Sequence, residues 1–209
     1  MRNILFTTLL LVGLYSLNGQ DSPMNQGEID SFKSLVTRTS EATNTIQSEF
    51  VQYKHMDFLT NDIITEGSMA FKTPNKVKWE YTKPFKYSVI FMEDQLLIND
   101  GGTKSNVDLG NSTLFKKLNQ LIVNSVKGNL FNDADFKTSY FHDMDYNKVV
   151  FTPKDEKIKK YIASFILIFD KDQGYVKEVK MVEPSNDFTR IVFKNRMINK
   201  PLADEVFSN

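Results

Sequence analysis

The side chains that ordinarily do covalent or metal chemistry are scarce in this sequence. There is no cysteine, and there are two histidines among 209 residues. Thiolate nucleophiles, cysteine zinc sites and iron–sulfur clusters are therefore excluded, and a histidine triad has little to draw on. His142-Asp143-Met144-Asp145 is the densest group of potential ligands. As an isolated cluster it reads as a polar loop. His55, beside Met56 and Asp57, reads as a surface residue at a strand end. Asp170-Lys171-Asp172-Gln173-Gly174 has the opening of a calcium loop, but Met181 stands where such a loop needs its twelfth-position glutamate. It reads as a hairpin turn. With no G-x-S-x-G, H-E-x-x-H or phosphate-loop pattern, we expect no catalytic residue, metal or cofactor.

What the chain has in quantity is aromatic surface: 17 Phe, 8 Tyr and 1 Trp. Lys+Arg and Asp+Glu number 26 each, for a formal net charge of zero, which gives no electrostatic reason to expect a nucleic-acid partner. The elements that must position these aromatics fall in a clear order.

Residues 1–19 read as a signal peptide. Arg2 precedes an apolar run from Ile4 to Tyr15 that is too short to span a bilayer, and Gly19 follows at a cleavage position. The expected mature chain, 20–209, is one domain that carries one net negative charge and no cysteine for an acyl anchor. In a cell with two membranes that means a soluble periplasmic product.

Glu28–Thr43 reads as an amphipathic helix with Ile29, Phe32, Leu35, Val36 and Thr39 on one face. From Ile46 the period becomes two. Strands are expected from Ile46 and at Ile63–Lys72, Lys76–Tyr81, Tyr87–Met92, Gln95–Asn99 and Thr103–Leu109, then at Phe136–His142, Lys148–Thr152, Tyr161–Asp170, Tyr175–Glu183 and Phe188–Arg196. Each proline after the leader falls between runs. Lys154–Lys160 reads as a solvated hairpin, and 114–126 as a helix set between the two strand blocks, ending near Gly128.

Short runs with hairpin-length turns imply one antiparallel sheet. Most strands show a single apolar face, so the expected fold is mainly β: an open, strongly bent antiparallel half-barrel whose apolar cavity is closed by α-helices acting as a lid.

Gly67-Ser68-Met69-Ala70-Phe71-Lys72-Thr73-Pro74-Asn75-Lys76-Val77-Lys78-Trp79-Glu80-Tyr81-Thr82-Lys83-Pro84 resembles the hairpin of the outer-membrane lipoprotein carrier protein family, the periplasmic LolA chaperones. Ile46-x-Ser48-x-Phe50-x-Gln52, Val149-Val150-Phe151-Thr152-Pro153-Lys154 and the tail from Asp187 to Phe207 resemble further family segments in the same order. The resemblance implies a monomeric, non-enzymatic chaperone that takes acylated lipoproteins from an inner-membrane lipoprotein-releasing transporter to an outer-membrane lipoprotein acceptor. The alternative is a carrier of another envelope lipid. One departure is Thr73, where the family usually places an arginine that reaches the lid helix. Threonine there implies a weaker lid latch.

Met69, Phe71, Val77, Trp79 and Tyr81 share one parity. A three-residue connection, Pro74–Lys76, would set Phe71 opposite Trp79 and Met69 opposite Tyr81. With Phe50 they form the expected floor of an acyl cavity, facing Leu114, Leu118, Leu121 and Ile122 of the lid helix.

Overall fold

The computed structural model describes residues 21–92, 95–108 and 136–208. The expected leader and the expected lid helix at 114–126 lie outside the described residues. What is described is a single antiparallel sheet flanked by little helix. A short strand β1 (Ser22–Pro23) leads into helix α1 (Gln26–Glu41). A first meander follows: β2 (Thr45–His55), β3 (Ile63–Lys72), β4 (Lys76–Lys83), β5 (Tyr87–Met92), β6 (Gln95–Asp100) and β7 (Thr103–Asp108). The second contains β8 (Phe136–His142), β9 (Tyr146–Pro153), a helical turn α2 (Glu156–Lys159), β10 (Ser164–Asp170), β11 (Val176–Val182) and β12 (Phe188–Ile198). A 3-10 turn, Asp204–Phe207, ends the chain's regular structure.

The strand order is β1-β8-β9-β10-β11-β12-β2-β3-β4-β5-β6-β7. The two meanders are therefore joined at one seam, where β12 pairs with β2 from Phe188↔His55 to Ile198↔Ile46. β1 and β7 remain at opposite edges, so the sheet is not closed into a barrel, as expected from the alternation of single apolar faces.

Helix α1 begins at Asn25 with a reciprocal capping box. The Asn25 side chain accepts from the Glu28 N–H (3.1 Å) and Glu28 accepts from the Asn25 N–H (2.8 Å). It thus starts earlier than the apolar spacing alone suggests, and its buried face is Phe32, Val36 and Ser40. Phe32 meets Phe169 edge to face at 5.1 Å. Around it lies one core cluster, with Val149, Phe151, Phe165 and Leu167 from β9 and β10. A second cluster holds Ile46, Phe50, Met69, Phe71, Val77 and Trp79 from β2–β4.

The structure corrects several sequence expectations. In the β3–β4 hairpin Lys72 pairs with Lys76, so the connection is Thr73–Asn75 and Met69 lies opposite Trp79, Phe71 opposite Val77 and Gly67 opposite Tyr81. Two facing lysines would repel, but both reach Asp204 Oδ1, at 3.1 and 2.8 Å, which offsets that repulsion in this register. The shift changes partners without changing the face. Lys154–Lys160 is a helical turn rather than a hairpin, because Asp155 caps the Lys157 N–H (2.8 Å) and Ile158 is buried in the first cluster. Tyr161–Ala163 precede β10 instead of opening it, and two prolines, Pro23 and Pro153, lie at strand ends. His55 is only half exposed: its ring stacks on Phe188 at 4.7 Å and Nδ1 lies 2.8 Å from Asp62 Oδ1.

Candidate functional site

Between α1 and the sheet, where the two core clusters approach each other, lies a cavity of about 380 Å³. Its floor comes from the first meander, with Met69, Trp79, Tyr81, Val89, Phe91 and Ile98. The second meander contributes Phe151, Leu167, Val179 and Met181, and β12 adds Ile191 and Phe193. Helix α1 covers one side with Val36, Thr39 and Ser40, and Thr43 follows just beyond its end. Period-two alternation aims inward residues of β2–β6 and β9–β12 at this space, and the walls are overwhelmingly apolar.

Of the residues singled out in the sequence, Met69, Trp79 and Tyr81 line the cavity, with Trp79 6% exposed. Phe50 supports them from within the same cluster, its ring 5.0 Å from Trp79 and 5.2 Å from Tyr81, both edge to face. Phe71 and Val77, each 1% exposed, pack in that cluster without lining the cavity. Leu114, Leu118, Leu121 and Ile122 lie outside the described residues. Thr73 is exposed in the β3–β4 connection and is not among the described lining residues, and its N–H donates to the Asn44 carbonyl (2.9 Å) just beyond α1. Gly67 makes the aromatic floor possible. A Cβ there would stand 2.1 Å from the Glu80 carbonyl and 2.6 Å from the Phe50 ring.

Besides the serine and threonine hydroxyls of the lining, two polar spots interrupt the apolar walls. Tyr81 Oη donates to Gln52 Oε1 (3.1 Å), and burial, reinforced by Tyr87, raises the Tyr81 phenol pKa. The other spot is Arg196. Its guanidinium lies 5.3 Å over the Tyr175 ring and donates to the Val176 carbonyl. Burial lowers its pKa, opposed by the Asp170 charge and by Tyr175.

Strict alternation would turn Arg196 outward with Lys194, away from Ile191 and Phe193. A bulge between Lys194 and Met197, with Asn195 at φ +50°, reverses the parity and brings Arg196 to the cavity wall. Sequence reading missed this residue. Asn195, of a type that tolerates positive φ, is the only local signal for it. Also missed were the lining residues of β5, β6, β10 and β11, although their alternation carries the same inward parity.

Among the described residues no three His, Cys, Asp or Glu side chains are arranged to hold a metal ion. His142 Nε2 instead lies 3.6 Å from Glu28 Oε1. The Asp170–Gly174 segment closes as a β10–β11 turn, with Asp170 Oδ1 accepting from the N–H groups of Asp172 and Gln173. No described helix is long and apolar enough to cross a membrane.

An open antiparallel sheet folded around an apolar cavity, with one helix along its side, is the architecture of a mainly-β protein with an internal binding space. The family model described as "Outer membrane lipoprotein carrier protein LolA" matches residues 41–209. The chain belongs to that family. Two relatives named outer-membrane lipoprotein carrier protein, from Cupriavidus necator and Cupriavidus taiwanensis, are 23% and 25% identical, and in each case the match covers 99% of this chain and 94% of the relative. Among solved structures, MucB superposes with a TM-score of 0.50 at 13% identity, over 86% of this chain and 63% of MucB. A LolA superfamily protein from Nitrosomonas europaea gives 0.47 at 9% identity, over 85% of this chain and 97% of the other.

Proposed function

We propose that this protein is a non-catalytic periplasmic carrier that shelters the acyl chains of lipoproteins in its cavity and moves them from the inner to the outer membrane. Family membership and the carrier name of its relatives support that reading. On this reading the donor is an inner-membrane lipoprotein-releasing transporter and the acceptor an outer-membrane lipoprotein, with the carrier monomeric between them. The observation that carries the reading is the cavity of about 380 Å³ walled by aromatic and aliphatic side chains.

The cavity size fits a carrier that must let go. Each methylene withdrawn from water contributes about 0.8 kcal/mol, so three long chains buried whole would pass the ~20 kcal/mol limit of non-covalent binding. A space near the lower end of the ~300–1,000 Å³ range of ligand pockets shelters only part of such a load. Partial burial keeps release feasible.

The test is titration of a fluorescent fatty-acyl probe into the wild type and Trp79→Glu. A carboxylate among Phe50, Met69 and Tyr81 costs solvation that the apolar wall cannot return. Probe binding is expected to disappear while the far-UV circular dichroism of the sheet is retained. Undiminished affinity in a folded variant would place the acyl chains elsewhere.

A further inference from the structure

The polar end of the cavity is built around a cation. Arg196 is the only charged side chain among the described lining residues, and no aspartate or glutamate shares that lining. Among the described residues its polar contacts are the bond to the Val176 carbonyl and the stacking on Tyr175. A guanidinium has five N–H donors, more than the one bond to Val176 uses. Beside it, the Tyr175 hydroxyl lies 3.5 Å from Thr43 Oγ1, whose own proton goes to the Thr39 carbonyl at 2.6 Å. With that proton committed, the Tyr175 phenol donates to Thr43 Oγ1, which leaves Arg196 as the cationic donor on this wall.

Placing a charge against apolar walls is costly unless an opposite charge meets it. The chain nevertheless uses a bulge and a left-handed Asn195 to turn this arginine inward. The Asp170 charge acts on Arg196 but forms no direct ion pair with it among the described residues. A cation on the wall of an apolar space therefore remains complementary to an amphiphile with an oxyanion at one end and hydrocarbon beyond it. Guanidinium recognises carboxylate and phosphate through the same paired donors.

We infer that Arg196 is an anion-binding site within the cavity and that the preferred ligand is an acyl amphiphile with an acidic head, a carboxylate or a phosphate, its tail running over Val179, Met181 and Phe193. This rests on the acyl-cavity reading above and specifies its ligand.

The test uses displacement of a neutral apolar fluorophore by palmitate, hexadecyl phosphate and hexadecanol, at mildly alkaline pH, with the wild type, Arg196→Gln and Arg196→Lys. In the wild type at least one of the two anions is expected to displace the probe at about tenfold lower concentration than the alcohol. The better anion identifies the headgroup. Arg196→Gln should abolish that gap and leave hexadecanol unaffected, which also shows that the variant folds. Arg196→Lys should keep part of it. Equal potency of all three compounds in the wild type, or a gap that survives in Arg196→Gln, overturns the anion site and leaves the apolar cavity standing. Displacement by none of them overturns both.

Discussion

Gly67 lies beneath the ring of Phe50 and against the backbone of Glu80, where a single methyl group has no room. The carbonyl belongs to the β3–β4 ladder and cannot retreat without breaking it, so Gly67→Ala is expected to cost about 2–3 kcal/mol. Urea unfolding would show this as a lower midpoint at unchanged slope. Thr73 offers the opposite kind of change. It is exposed beside the end of α1, and Thr73→Arg adds a long side chain with five donors at little steric cost. If a latch to the lid forms from this position, acyl-probe exchange slows in stopped-flow measurements while the folding midpoint barely moves. Unchanged exchange would remove Thr73 from the gate. At this scale the floor residues were legible because parity alone aims Met69, Trp79 and Tyr81 inward. Arg196 was not, since a bulge sets its direction, and its partners Tyr175 and Val176 lie about twenty residues away in sequence.

The elements follow from periodicity more closely than their pairing does. Alternation marks nearly every strand, yet the facing Lys72 and Lys76 of the β3–β4 register are met by Asp204, more than a hundred residues downstream. The seam between β2 and β12 likewise has no hairpin to announce it. The strap that leads into α1 is another such long-range element. β1 pairs with the end of β8, and Asp21 just before it accepts from Tyr146 Oη (2.9 Å) and forms an ion pair with Lys148. Burial disfavours the Asp21 carboxylate, but the hydrogen bonds from Lys148 and Tyr146 outweigh it and lower its pKa. The same bond to Asp21, then burial, pushes the Tyr146 phenol up to about 12.

The two signs differ. Tyr146 is raised in the folded state, so its contribution is complete below the ordinary tyrosine value of about 10 and is lost as pH climbs to about 12. Asp21 is depressed, so its contribution is present above the ordinary carboxylate range and disappears as pH falls through its folded value. Phenolate absorbance should therefore show a late-titrating fraction, to which the buried Tyr81 also contributes, that loses its Tyr146 part in Tyr146→Phe, while in Asp21→Asn that part moves toward 10. An unmoved titration in Asp21→Asn would sever the strap from this account.

At the scale of the whole molecule, each core cluster draws on both ends of the chain. α1, from the N-terminal end, packs with β9 and β10, while Ile191, Phe193 and Ile198 of β12, near the C-terminal end, pack against the cluster of β2–β4. Neither half can keep its core once the seam opens, so unfolding should be a single cooperative event. Trp79 allows a direct check, because it is the chain's sole tryptophan and sits in one cluster at the cavity wall. Its fluorescence reports the first meander's core, and far-UV circular dichroism reports the whole sheet. The two thermal transitions are expected to coincide. A ligand in the cavity touches both halves and binds only the native state, so at a free concentration a hundred times Kd it should add about 2.7 kcal/mol and raise both transitions together. Separation of the two curves, or a ligand that shifts the tryptophan signal alone, would mean that the cavity joins two independently folding halves.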